Sequence, residues 1–160
     1  MSSIVDALYE IKYNPFQYGA YIASFFTTVG ELKNNILLAN LVIPLCSHPL
    51  FGPKLFNSNV RSTIWSVFED RTKLYDLQER IDGFQALTEQ CIQYCLINDW
   101  LSIDEHSLAL RACDESDSVF TNQKGAEKLG RLFCGHSVLA TGSGASRLTG
   151  VRVWGLWPRY

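Results

Sequence analysis

The chain has 160 residues, 47% of them apolar and 19% charged, enough to build one shared core and too little charge to hold the chain unfolded. This excludes global disorder and argues for a single domain over residues 1–160. The formal charge of −2 conceals an asymmetry: residues 1–120 carry 8 Lys/Arg against 15 Asp/Glu (−7) and residues 121–160 carry 6 against 1 (+5), so an acidic body has a basic end suited to nucleic acid or an acidic protein surface.

Met1-Ser2-Ser3-Ile4-Val5-Asp6 lacks a basic start leading into an apolar stretch, so no secretory signal is read and a cytoplasmic location is expected. Asn14-Pro15-Phe16-Gln17 reads as a helix start, with Asn as N-cap, Pro at the first helical position and Gln placed to complete a capping box. The helix should run to Val29. Its Phe16, Tyr18, Tyr21, Ile22, Phe25, Phe26 and Val29 cover most of the circumference, which places it in the core or against a partner. Tyr13–Gly30 is uncharged, but Asn14, Gln17, Ser24, Thr27 and Thr28 make it a buried helix rather than a membrane span.

Glu31–Ile43 is expected as a second helix with Leu32, Ile36, Leu37, Leu41 and Val42 inward, ended by Pro44. A loop through His48–Pro53 follows. Ser58 is the expected cap of a helix carrying Val60, Ile64, Val67 and Phe68. Leu74, Leu77 and Ile81 continue the helical spacing up to a break at Gly83. Phe84, Leu87, Cys91, Tyr94 and Cys95 mark one face of the next helix, with Gln85, Thr88, Glu89, Gln90 and Gln93 toward solvent.

Trp100–Ile103 and Leu108–Leu110 alternate around the turn Asp104-Glu105-His106-Ser107, the pattern of a short hairpin. A helix followed by a small hairpin is the outline of a winged helix. No Lys or Arg lies between Ile81 and Leu110, which argues against sequence-specific DNA reading and for a protein-contact use of the module. Cys113–Ser118 reads as a loop. Thr121 or Asn122 then starts a helix with Ala126, Leu129, Leu132 and Phe133 inward and Lys124, Lys128 and Arg131 as a basic stripe. Ala140–Ser146 is a Gly/Ser loop without the Lys of a phosphate-binding motif. The tail places Arg152, Trp154, Trp157, Arg159 and Tyr160 together, residue types that dominate interface hot spots.

Cys46, Cys91, Cys95, Cys113 and Cys134 form no disulfide framework. The Cys46/His48 and Cys134/His136 pairs lack zinc-knuckle spacing. No nucleophile elbow, zincin motif or paired His and carboxylate is present, and His48, His106 and His136 are each isolated in sequence. A non-enzyme without cofactor or metal is therefore expected.

The ordered blocks are Asn14-Pro15-Phe16 opening an aromatic helix, Leu41-Val42-Ile43-Pro44-Leu45, Ser62-Thr63-Ile64-Trp65, Arg80-Ile81, a helix running into Leu101-Ser102-Ile103, Ala126–Phe133, and Leu148-Thr149-Gly150-Val151-Arg152. In this order they resemble the small middle component of bacterial three-component ABC ATPase systems, a group related to the small subunit of Lamassu-type defence systems. The resemblance implies an adaptor joining an SMC/Rad50-like ATPase to an effector, often a nuclease, in defence against phage or plasmids, with double-stranded DNA sensed through the complex.

The fold expected is mainly α with a small β-hairpin, α+β overall: a helical part over about 14–83, a winged-helix-like part over about 84–135 and a basic aromatic tail over about 140–160. The aromatic helix at 14–29 and the C-terminal region are the expected contact surfaces. The candidate partner or DNA contacts are Lys124, Lys128, Arg131, Arg147, Arg152, Trp154, Trp157 and Arg159. The alternative function is a winged-helix DNA-binding regulator that holds phosphates through the basic stripe.

Overall fold

The computed structural model describes residues 3–30, 32–113 and 121–138. The Asp114–Ser118 part of the expected loop, the Gly/Ser loop and the aromatic tail lie outside these residues. The described chain is mostly helical with one antiparallel hairpin, an α+β arrangement. In order it runs α1 (Ile4–Lys12), α2 (Pro15–Val29), a 3-10 turn (Asn35–Leu38), α3 (Ala39–Cys46), α4 (Phe51–Asn57), α5 (Ile64–Val67), a second 3-10 turn (Arg71–Leu74), α6 (Leu77–Ile97), β1 (Leu101–Asp104), β2 (Ala109–Ala112) and α7 (Lys124–Val138).

Helix α2 is the hub. Asn14 caps it by accepting the Gln17 N–H at 3.0 Å, and Pro15 sits at its start as the sequence predicts. Tyr18, Ile22, Phe25, Phe26 and Val29 are buried because α7, α6, α3 and β2 pack around it. An aromatic helix expected as a contact surface is thus core, and among its aromatics only Phe16 is mostly exposed.

Two glycines let neighbouring helices close on α2. A Cβ at Gly19 would lie 3.1 Å from the Tyr94 ring, and the Cys95 thiol donates to the Gly19 carbonyl at 3.3 Å. A Cβ at Gly130 of α7 would overlap Thr28 Oγ1 and stand 2.7 Å from the Phe25 carbonyl oxygen. At this seam the Thr28 hydroxyl lies 2.9 Å from the Phe25 carbonyl and 3.0 Å from that of Glu127. Ser24 donates to Ala20 and accepts the Gln123 N–H at 2.9 Å, fixing the entry to α7. That helix begins at Lys124 rather than at Thr121 or Asn122, with Ala126, Leu129 and Leu132 inward as predicted.

Several expected boundaries move. The helix predicted over Glu31–Ile43 opens only at Asn35, as a 3-10 turn, and its Leu37 faces solvent. Pro44 lies inside α3 instead of ending it. Its ring removes the bond to the Asn40 carbonyl, and the helix stops two residues later at Cys46. The His48–Pro53 loop contains the start of α4. There Pro53 is a third helical residue, whose missing N–H has no intrahelical acceptor to lose. Ser58 ends α4 rather than opening the next helix. Thr63 caps the short α5 through a reciprocal pair with Ser66, and Val60 is fully exposed.

Helix α6 carries straight through Gly83. The expected break, and with it the division between residues 83 and 84, falls inside one 21-residue helix. Packing of Leu77, Phe84, Leu87, Cys91 and Cys95 on the core outweighs a glycine penalty of about 1 kcal/mol. Thr88 belongs to the buried face, where its hydroxyl donates to the Phe84 carbonyl at 3.0 Å. Gln85, Glu89, Gln90 and Gln93 face solvent.

The hairpin pairs Leu101 with Ala112 and Ile103 with Leu110, and His106 is exposed in its turn as expected. Leu110 directs its backbone groups away from β1 to the buried Asn35 amide: Asn35 Nδ2 donates to the Leu110 carbonyl at 2.9 Å, and Oδ1 accepts the Leu110 N–H at 2.7 Å. One side chain thereby stands in for a third strand and fastens the hairpin to the helices.

Candidate functional site

The basic stripe forms on α7, and one of its three cations, Lys128, is turned to structure. Lys128 Nζ donates to the carbonyls of Phe56 and Ser58, at 2.6 Å each. It thereby satisfies acceptors at the end of α4 that the helix leaves open. Lys124 and Lys128 also lie 5.9 and 6.0 Å from the centre of the Phe56 ring, within cation–π range. Lys124 and Arg131 are exposed. Arg147, Arg152, Trp154, Trp157 and Arg159 lie outside the described residues.

An open groove of about 580 Å³ runs between α4, the His48 turn and the start of α7. Tyr21, Cys46, His48, Phe56, Gln123 and Lys124 line it. His48 is buried, and its Nδ1 accepts the N–H groups of Leu50 and Phe51 at 3.1 and 3.4 Å, which caps the start of α4. Its Nε2 lies 4.0 Å from Asp76 Oδ1. Burial and the nearby Arg80 guanidinium lower the His48 pKa from its ordinary value, with Asp76 opposing them. Arg80 Nη2 reaches Ser47 Oγ at 3.4 Å, while Asp76 Oδ1 and Arg80 Nε are buried without a hydrogen-bond partner among the described residues. The neutral His48 is held for structure: its one acceptor nitrogen is already used.

The cysteines are equally committed. Burial pushes the thiols of Cys46, Cys91 and Cys95 up to about 12, so each stays protonated near neutrality and offers no thiolate to a metal or an oxidant. Cys134 Sγ donates to the Val29 carbonyl at 3.6 Å. No group of three or more His, Cys, Asp or Glu gathers to hold a metal among the described residues, and no single described helix is long and apolar enough to cross a membrane.

One exposed apolar face among the described residues is a feature that sequence reasoning missed. In α1 no residue is buried, and Ile4, Leu8 and Ile11, at i, i+4 and i+7, are 80%, 61% and 70% exposed, with Val5 beside them. Ser3 and Asp6 form a complete capping box at its start. Tyr9 is the link to the body, its ring 4.7 Å from Tyr13, which stacks on Tyr18 and leans on Phe84. The signal was present in the sequence as Ser-x-x-Asp followed by helical apolar spacing.

No curated protein and no solved structure matches the chain. A family model described as ABC-three component (ABC-3C) system Middle Component 3 matches residues 2–144, a span that takes in α1 and every other described element and stops short of the aromatic tail. With nearly the whole chain covered in a single match, the protein belongs to the Middle Component 3 family of ABC-3C systems.

Proposed function

We propose that the chain is a non-catalytic assembly subunit of its ABC-3C system: a cytoplasmic adaptor between an SMC/Rad50-like ATPase and an effector, a nuclease in this reading, acting in anti-phage or anti-plasmid defence and kin to the small subunit of Lamassu-type systems. The observation that carries the proposal is α1. Isolated helices shorter than about 12–15 residues are marginal in water, yet this nine-residue helix presents its whole apolar face to solvent, the state of an element completed by another chain.

Helix α6 and the hairpin serve in this reading as a protein-contact module, since Gln85, Glu89, Gln90 and Gln93 offer no cation to phosphate. The DNA-regulator reading loses support because Lys128 is spent on the end of α4. Co-expression with the ATPase and effector encoded beside it is expected to yield a stable complex on affinity capture and gel filtration. Recovery of the chain alone, with both companions present and folded, overturns the assembly role.

A further inference from the structure

We infer that the open groove between α4, the His48 turn and the start of α7 receives an acidic, apolar segment of a companion subunit, with a carboxylate beside Lys124 and apolar side chains against Tyr21 and Phe56. The inference rests on the assembly reading and adds a site and the chemistry of the partner. The groove has about 580 Å³, Lys124 is the one Lys or Arg that lines it, and no Asp or Glu lines it among the described residues. Glu127, three residues along α7, is not part of the wall. Lys128 adds a second ammonium 6.0 Å from the centre of the Phe56 ring, and Arg131 stands exposed two turns along α7 from Lys124. Asp76 opens on a separate, smaller cleft that also touches His48 and holds Lys73, and Arg80 counters its charge at His48. The groove is therefore positive, on a body whose first 120 residues carry −7.

The walls supply the apolar half. Phe56 is 55% exposed, and Pro49, Pro53 and Tyr21 continue its surface into the groove. This pairing of a cation with aromatic and proline walls discriminates among occupants. Nucleic acid is held through many phosphates, each met by a cation, whereas only Lys124 and Arg131 of the stripe are exposed and the Lys128 ammonium is bonded to the Phe56 and Ser58 carbonyls. A base stacked on Phe56 would also meet the two ammonium groups already 5.9 and 6.0 Å from the ring centre. A purely apolar segment would take Lys124 out of water with no counter-charge. An acidic, apolar segment satisfies both halves of the groove and is steered to it by charge.

The test measures binding of the full chain to the purified ATPase and effector of the same locus over a salt series. Lys124→Glu places an acid in the first turn of α7, which a helix start favours. It is expected to weaken binding to one companion by about 10-fold at about 50 mM salt, and the difference should narrow at about 0.5 M. Gly125 lines the groove, and a Cβ there meets nothing within 4 Å, so Gly125→Leu adds bulk at the wall without crowding the core. That variant should weaken the same binding by about 10-fold at every salt, and Phe56→Ala by about 5-fold or more. Melting temperatures close to the wild type check that the three variants fold.

If Gly125→Leu and Phe56→Ala weaken the complex while Lys124→Glu binds as the wild type at every salt, the acidic occupant is overturned and the assembly role stands. If the complex forms and none of the three variants changes it, the groove site is overturned. If neither companion binds the wild-type chain, the assembly reading falls and the inference falls with it. Retention of a short single- or double-stranded oligonucleotide that Lys124→Glu abolishes while the companions still bind, or wild-type dimers that it dissociates, would name a different occupant and overturn the inference as well.

Discussion

Replacing Gly130 with Ala tests whether the seam between α2 and α7 is set by the absence of one carbon. The added Cβ would overlap Thr28 Oγ1 and stand 2.7 Å from the backbone carbonyl of Phe25. Rotating Thr28 away removes the first clash but gives up its hydrogen bonding to Phe25 and Glu127, worth about 1 kcal/mol. The second clash is with main chain, so α2 and α7 must separate, an overpacking cost of about 1–3 kcal/mol. Against this, Ala gains about 1 kcal/mol of helix propensity. The net expectation is a loss of about 1–3 kcal/mol.

Gly83→Ala supplies the control, because a Cβ there meets nothing within 4 Å. The same chemical change in exposed α6 should stabilise by up to about 1 kcal/mol. Urea unfolding of the two variants, followed by circular dichroism, should place their midpoints on opposite sides of the wild type. Thr28→Ala in the Gly130→Ala background should recover part of the loss and not all, since the Phe25 carbonyl remains. A Gly130→Ala protein as stable as the wild type would refute the close-contact account.

Asn35→Ala leaves the Leu110 N–H and carbonyl unpaired in the core, and about 2–4 kcal/mol should be lost in the same unfolding assay; loss of under about 0.5 kcal/mol would show that the hairpin does not depend on this amide. His48 has a lowered pKa in the folded chain, so the unfolded chain takes up the proton first as pH falls. Stability should be full above pH 6.5, the ordinary value, and decline below it. His48→Gln should flatten that decline in urea midpoints taken from pH 7.5 to 5.5, and an unaltered profile would discount the role of His48. Lys128→Ala should cost about 0.5–1.5 kcal/mol through the lost bonds to Phe56 and Ser58. It should leave the salt dependence of any DNA retention unchanged; a slope reduced by about one would restore a phosphate contact.

Local chemistry made some elements readable. Asn14-Pro15 marks the start of α2 because capping and a preset φ act within one turn, and the alternation around Asp104–Ser107 marks the hairpin. Errors came where packing overrides a local signal. Gly83 and Pro44 look like breaks, but the helices that hold them are fixed by buried residues on either side. Gly52 and Pro53 hid α4, since residues that break a helix interior are tolerated in its first turn.

The basic stripe was legible as spacing. That Lys128 would meet the end of α4 was not, because the two are joined only by folding across some 70 residues. The His48, Asp76 and Arg80 cluster had no signal for the same reason. Helix α1 did have one, and its short apolar repeat stands exposed at Ile4, Leu8 and Ile11.

The passage of α6 through Gly83 has a mechanical meaning. At about 1.5 Å per residue, its 21 residues make a strut of about 30 Å between the Asp76–Arg80 end and the hairpin. That strut sets the spacing between the His48 cluster and the hairpin, and one residue inserted in the helix would turn the far end by about 100° as it lengthened it.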